Sequence, residues 1–336
     1  MEALITTHGV LSRALNVVSG KGTGQGVVVK QIPKPSIKDH EILVKVHAVA
    51  LNPIDYLCID LLATRDSIAG CDFAGSCRFV HGGFDNERGS FAQYMKTEGD
   101  LAWRIPHGMT DEDASTYGTP VVTAQLALHS RLGVPWEAGA PTKGTILIYS
   151  GSTAVGLAAI QFAKKAGYTV VTTASPHSFE LVKRYGAGSV FDYRSPAAIS
   201  SIIREHPNIT QALDCISDAI STDFCAQVLK ANGGKVVTLK TDGKSKVPNV
   251  KIDLFLVFTA FGKHFQWLPP IGPSFPVIPS DRGALVQFYA ALPLLVHDVK
   301  PPPVRVLGRG FEKIIAGLDE LREGKVSGQK LVVKLV

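Results

Sequence analysis

Thr145-Ile-Leu-Ile-Tyr-Ser-Gly-Ser-Thr-Ala-Val-Gly156 decides how this chain folds: a β-branched apolar run, a turn of small residues, then the start of a helical pattern. Outward from it the alternation repeats. A helix is predicted over Ala154–Ala166 and a strand over Tyr168–Thr173, followed by a helix at Ser178–Tyr185 and a short strand at Ser189–Phe191. A helix at Ala197–Glu205, a strand at Gln211–Cys215, a helix at Asp218–Leu229 and a strand at Lys235–Leu239 complete the series. Strands alternating with helices of this length imply βαβ units and a parallel sheet covered on both faces. Right-handed crossovers make it a doubly wound, Rossmann-type α/β sheet.

The turn after the first strand is where such a sheet binds the pyrophosphate of a dinucleotide. Gly151 and Gly156 are kept, while Thr153 stands where the glycine fingerprint has its middle member. Amides at the helix start can meet phosphate oxygens, and the hydroxyls of Ser152 and Thr153 can add donors. The alternative is a small-residue turn that merely tightens a strand–helix connection, and the βαβ context argues against it. About twenty residues on, an NAD site presents an acid to the ribose hydroxyls. Here the sequence runs Thr173-Ala-Ser-Pro-His-Ser178, without a carboxylate. Hydroxyls and a histidine suit a 2′-phosphate, and Tyr193 and Arg194 follow the third strand, so NADPH is the expected cofactor.

The first half is β-rich and turn-rich. Strands are predicted at Gly26–Gln31, Glu41–Val49 and Phe91–Met95, with Pro33, Pro35 and Asp39 between the first two. Thr110 reads as a helix N-cap followed by Asp111, Glu112 and Asp113 in the first turn, the charge that a helix start favours. Helices at Arg282–Leu294 and Phe311–Glu323 precede a terminal strand, Lys330–Leu335, which can return to the β-rich module.

Bulk composition excludes several classes. A length of 336 residues fits about two domains, and 45% hydrophobic content suits a globular enzyme. The net charge of +6 comes from singly scattered Lys and Arg, with no stripe to track nucleic acid. Cys58, Cys71, Cys77, Cys215 and Cys225 form no C-x-x-C pair, which suggests reduced thiols. No apolar run is long enough to span a bilayer, and no signal peptide is evident. A cytoplasmic protein is expected.

Several stretches together resemble one family. These are Ala50-Leu-Asn-Pro-Ile-Asp-Tyr56, Ala69-Gly-Cys-Asp-Phe-Ala-Gly75, Tyr117-Gly-Thr-Pro-Val-Val-Thr-Ala124 and Gly151-Ser-Thr-Ala-Val-Gly156. Thr173-Ala-Ser-Pro-His-Ser-Phe179, Val190-Phe-Asp-Tyr-Arg194, Ala212-Leu-Asp-Cys-Ile-Ser217 and Val326-Ser-Gly-Gln-Lys-Leu331 continue the set. The chain resembles the fungal trans-acting enoyl reductases of polyketide synthase pathways, in the zinc-free branch of the medium-chain dehydrogenase/reductases. The resemblance implies a GroES-like β-rich domain over 1–125, completed by 270–336, and a Rossmann domain over 126–269. It implies cofactor contacts at Pro53, Ile54 and Asp55, at Ser152, Thr153, Ala154 and Val155, and at Ser175, Pro176, His177 and Ser178. Tyr193, Leu239, Lys240, Val326 and Ser327 complete that set. The implied substrate wall is Tyr117, Gly118, Thr119, Pro120, Val121, Val122, Thr123 and Ala124, with Phe261, Gly262, Lys263, His264 and Phe265.

The implied reaction is hydride delivery to the β-carbon of an enoyl thioester on an acyl carrier, supplied by a polyketide synthase partner, then protonation at the α-carbon. Tyr117 and Thr123 are candidate hydroxyls for the thioester oxygen, and no acid is assigned. Zinc is not expected, because Cys71-Asp72 replaces the ligand-bearing Gly-His-Glu motif and no four-cysteine loop exists. His81 and His129 read as surface or packing residues. The chain departs from the family after Gly75, where Ser76-Cys-Arg-Phe-Val-His-Gly-Gly83 stands in place of most of a β-hairpin. Two other functions fit the same residues: a free-standing quinone or enone reductase, and a non-redox scaffold that binds a polyketide-like ligand.

Overall fold

In this computed structural model, residues 1–19, 26–75, 86–136, 144–267 and 272–336 are described. The segment after Gly75 that shortens the expected hairpin, with Cys77 and His81, lies outside them. The chain divides into two units, Met1–Thr119 with Phe258–Val336, and Pro120–Val257.

The first unit begins with β1 (Glu2–Thr6), α1 (Val10–Ser19) and β2 (Val27–Gln31), the two strands pairing antiparallel. The long β3 (Glu41–Ala50) then leads into the short α2 (Pro53–Leu57). Asn52-Pro53-x-Asp55 explains that helix: proline suits the first helical position, and the Asp55 carboxylate accepts the Asn52 amide at 2.8 Å. β4 (Asp72–Gly75) and β5 (Tyr94–Glu98) both pair with β3. The strand predicted at Phe91–Met95 therefore starts later. Phe91 is fully buried in the core and Ala92 bridges Ala3 of β1, so the chain joins β3 only after this crossing. α3 (Asp111–Ser115) is capped as predicted, the Thr110 hydroxyl accepting from the Asp113 amide at 3.1 Å. α4 (Thr119–Leu126) follows, its first residue the last of this stretch of the first unit and the rest belonging to the second.

The second unit carries β6 (Thr145–Tyr149), α5 (Ala154–Lys165), β7 (Thr169–Ala174), α6 (Phe179–Arg184) and β8 (Ser189–Asp192). It continues with α7 (Ala198–Glu205), β9 (Gln211–Asp214), α8 (Ala219–Leu229), β10 (Gly234–Thr238) and β11 (Val250–Leu254). These strands form one parallel sheet ordered β11-β10-β9-β6-β7-β8. The doubly wound sheet is thus as expected, with β11 added beyond the strands read from the sequence. Its order reverses between β6 and β9, and ligands of open α/β sheets bind at such a switch point. Leu147, Val171, Ala212 and Val236 pack with Cys225 and Leu229 of α8 to bury one face.

The chain then returns to the first unit through a small hairpin, β12 (Phe265–Gln266) and β13 (Ser274–Phe275). α9 (Pro279–Leu295), β14 (Val304–Arg309), α10 (Phe311–Arg322) and β15 (Lys330–Lys334) complete it. β15 pairs with both β14 and β3, so the terminal strand does rejoin the β-rich module. Val46, Val49, Leu51, Phe73, Ile314 and Leu331 belong to its core. The unit boundaries fall before the sequence-based ones at 125 and 269. Lys263 and Arg282 both ion-pair with Glu98, at 3.1 and 3.0 Å, which fastens the segment after Val257 to the β-rich unit. Among the described residues, no helix is long and apolar enough to cross a membrane.

Candidate active site

The phosphate turn of the second unit is fixed by its own backbone. Ser150 adopts φ 60°, and its amide donates to the Thr173 hydroxyl at 2.9 Å. The Gly151 amide donates to the Thr173 carbonyl at 2.9 Å. A Cβ on Gly156 would lie 2.6 Å from the Ser150 carbonyl oxygen, so only glycine lets α5 start this close to the turn. Ser152, Thr153, Ala154 and Val155 are all partly exposed at the helix start. Amides there lack intrahelical partners and suit an anion, so the turn fits a dinucleotide pyrophosphate. Thr153 differs from expectation in one respect. Its hydroxyl accepts from the Gly156 amide at 3.0 Å and donates to the Ser150 carbonyl at 2.9 Å. That proton is committed, which leaves Ser152 as the side-chain donor of the turn.

At the end of β7, Ser175 and Tyr193 come together, with 3.4 Å between their hydroxyl oxygens. Tyr193 also stands over Tyr149, at 6.1 Å between ring centroids. His177 is exposed, whereas Ser178 is buried and offers no open hydroxyl. Sequence reasoning missed Asp192, which pairs across the sheet with Ala174 and so brings a carboxylate beside the acid-free end of β7. Arg194 answers it with N–H bonds of 3.1 and 3.3 Å, holding the half-buried Asp192 carboxyl below its ordinary range.

Asp214 was also missed. Fully buried, its carboxylate accepts from Ile216 and Ser217 amides and from the Ser221 and Thr222 hydroxyls. Ser217 in turn receives the Leu239 amide at 2.7 Å, which sets the start of the Leu239–Lys240 segment.

In the first unit, Pro53 is exposed and Ile54 half-buried, but Asp55 is fully buried. The Asp55 side chain closes α2, its Oδ2 accepting the Asn52 amide. Around it lies a buried polar group: Asn52, Asp72, Thr119 and Lys330. Asp72 Oδ1 accepts from the Thr119 amide at 2.6 Å and its hydroxyl at 2.7 Å, while Oδ2 accepts from Asn52 Nδ2 at 2.9 Å. Lys330 Nζ stands 3.6 Å from Asp72 and donates to Asn52 Oδ1. Burial, and then the neighbouring Asp72, push the Asp55 carboxyl up to about 7. Burial lowers the Lys330 ammonium from its ordinary value. The Cys71 thiol is raised far above its usual range, by burial first and then by Asp55. Both Asp72 oxygens are already engaged by Thr119 and Asn52, so this carboxylate does not fit zinc. Among the described residues, no group of three or more His, Cys, Asp or Glu is placed to hold a metal.

Tyr117 through Ala124 are all buried. The Tyr117 hydroxyl donates to the Val299 carbonyl at 2.6 Å, which ties its proton to the backbone. In the loop at 261–265, Phe261 and Phe265 are the buried members, and Phe265 stacks on Phe275 at 4.8 Å. Lys263 and His264 are exposed; Lys263 pairs with Glu98 and His264 with Ser274. Val326 is half-buried and Ser327 exposed.

A doubly wound sheet with a glycine turn at its switch point, in a chain that also folds a discontinuous β-rich unit, is the architecture of a medium-chain dehydrogenase/reductase. The comparisons agree. Residues 154–263 match the zinc-binding dehydrogenase family model. The chain is 35% identical to the trans-enoyl reductase FSL5 of Gibberella zeae, over 94% of this chain and 95% of that one. It is 34% identical to the trans-enoyl reductase ACTTS2 of Alternaria alternata, over 97% and 100%. The quinone oxidoreductase of Thermus thermophilus, solved alone and with NADPH, superposes with a TM-score of 0.72 at 22% identity, covering all of both chains. The protein belongs to the trans-enoyl reductases of the medium-chain dehydrogenase/reductase family, and it is an oxidoreductase.

Proposed function

We propose that this protein is an NADPH-dependent enoyl reductase that acts in trans on an α,β-unsaturated polyketide thioester carried by an acyl carrier domain of a polyketide synthase. The observation that carries the cofactor choice is the end of β7, where Ser175 and Tyr193 converge and no acid follows the strand. The names of the relatives support the reaction. When bound, the reduced nicotinamide supplies a hydride to the β-carbon of the enoyl group. The protein supplies position and electrostatics. Amides at the start of α5, with the Ser152 hydroxyl, hold the pyrophosphate. Ser175 and Tyr193 receive the 2′-phosphate, and Arg194 adds positive charge once drawn from Asp192.

Charge builds on the thioester oxygen during transfer, and a hydroxyl placed there lowers the barrier. With the Tyr117 proton held by Val299, Thr123 is the better hydroxyl for this role. Phe261 and Phe265 provide apolar surface for the acyl chain.

The test is NADPH oxidation with an α,β-unsaturated pantetheine thioester, with NADH and a quinone as controls. Turnover specific to NADPH and the thioester supports the reading. Faster turnover of the quinone would make the protein a quinone reductase, and NADPH binding without any turnover would make it a scaffold.

A further inference from the structure

Two segments expected in the active site, Pro53–Asp55 and Tyr117–Ala124, are anchored to a single carboxylate. Asp72 Oδ1 takes both the amide and the hydroxyl of Thr119, the first residue of α4. Its Oδ2 takes the side chain of Asn52, which also donates from its backbone to Asp55 and thereby closes the start of α2. Lys330 arrives from the terminal strand β15, nearly three hundred residues away in sequence, and donates to the Asn52 side-chain oxygen Oδ1 while facing Asp72. All five residues are buried, at 9% exposure or less.

Stability alone is a weak reason for this arrangement. Burying an ion pair costs desolvation that its attraction seldom exceeds, and apolar replacements of both partners are often neutral or stabilising. What the group does supply is geometry. A carboxylate with both oxygens occupied and a counter-ion held by a second bond has no alternative rotamer that satisfies its partners. Charge pairing works in the same direction: Lys330 faces Asp72 at 3.6 Å, and Asp55, Cys58 and Cys71 are the titratable neighbours among the described residues.

We propose that Asp72, with Lys330 as its buried counter-ion, is a positioning residue of the reduction, holding the 52–55 turn and the first residue of α4 in the geometry that turnover requires. This rests on the enoyl-reductase reading above. Displacement of a site segment by about 1 Å costs on the order of a hundredfold in rate, so the effect falls on kcat. Asp72 does not itself touch the reacting atoms.

The experiment compares wild type with Thr119→Val, Asp72→Asn, and the double variant Asp72→Asn/Lys330→Met, measuring kcat, KM for an enoyl pantetheine thioester, the Kd for NADPH and the thermal midpoint. Thr119→Val removes only the hydroxyl bond and keeps the amide, so it folds if any variant does. The expected result is a fall in kcat of about threefold to tenfold for Thr119→Val and about tenfold to a hundredfold for the double variant. The double variant, with its charge rebalanced, recovers the thermal midpoint lost by Asp72→Asn but not its kcat, and its NADPH Kd stays within about threefold. A kcat that recovers together with the thermal midpoint, or a Thr119→Val kcat equal to wild type, overturns the assignment and leaves the cluster structural. Absence of turnover in wild type overturns the enoyl-reductase reading, and the assignment with it. Turnover in wild type with unaffected variants overturns the assignment alone.

Discussion

Asp55→Asn should change how the stability of this protein depends on pH between about 4 and 7. Burial is the main cause of the raised Asp55 carboxyl, and the charge of Asp72 adds to it. The group titrates at about 7 in the fold against an ordinary 3.8. Between these values the folded chain holds a proton that the unfolded chain has released. The stability carried by the protonated form is therefore fully present below about pH 4 and is lost as pH rises through about 7. A shift of roughly three pH units at ~1.4 kcal/mol each amounts to on the order of 4 kcal/mol. Asparagine keeps an oxygen for the Asn52 amide and the same shape, and it does not titrate. Urea unfolding of wild type and variant, at half-unit steps between about pH 4.5 and 7.5, reads the difference directly. The variant should gain on wild type steadily across that window and then level off. Lys330, whose ammonium burial lowers, acts in the opposite direction, and comparing Asp55→Asn with wild type cancels a contribution common to both. Parallel curves for the two proteins would refute the reasoning, because they would mean that Asp55 releases its proton equally easily folded and unfolded.

Three further substitutions follow from the site. Gly156→Ala places a Cβ 2.6 Å from the Ser150 carbonyl and 2.7 Å from Gly151 Cα, so the turn must open; calorimetry should show NADPH binding lost and about 1–3 kcal/mol of stability with it. Ser175→Asp puts an acid directly after β7 and should raise the KM for NADPH about tenfold while lowering that for NADH, since an acid there repels the 2′-phosphate and accepts ribose hydroxyls. A preference left intact would remove Ser175 from cofactor selection. Thr123→Val should lower kcat by roughly a hundredfold with little change in substrate binding if its hydroxyl faces the developing oxyanion, and steady-state kinetics with unchanged kcat would take it out of the mechanism.

The Rossmann half was legible because its signals are local. The run at Thr145–Tyr149, the small turn and the apolar period of α5 each state their structure within a dozen residues, and Thr110 announced its cap in the same way. The order of chemical groups along β7 and its following turn was likewise readable, down to the missing acid. Periodicity could not place β5, whose start depends on Ala92 bridging to β1, a partner some ninety residues earlier. Nor could it show whether a polar side chain is open or committed. Ser152 and Thr153 are adjacent hydroxyls, yet the helix start occupies Thr153 alone. Tyr117 looked like a donor until Val299 was found to hold its proton.

What the sequence determined by itself was the alternation of elements, the dinucleotide turn and the chemical character of the cofactor end, because each depends on neighbours within one or two turns of chain. The tertiary structure alone decided that Asn52, Asp72, Thr119 and Lys330 share one buried site, and that Asp192 stands beside Ala174. Those meetings join residues from different strands, and in the dry interior the partner a polar group finds, more than its type, sets its charge, its geometry and its use.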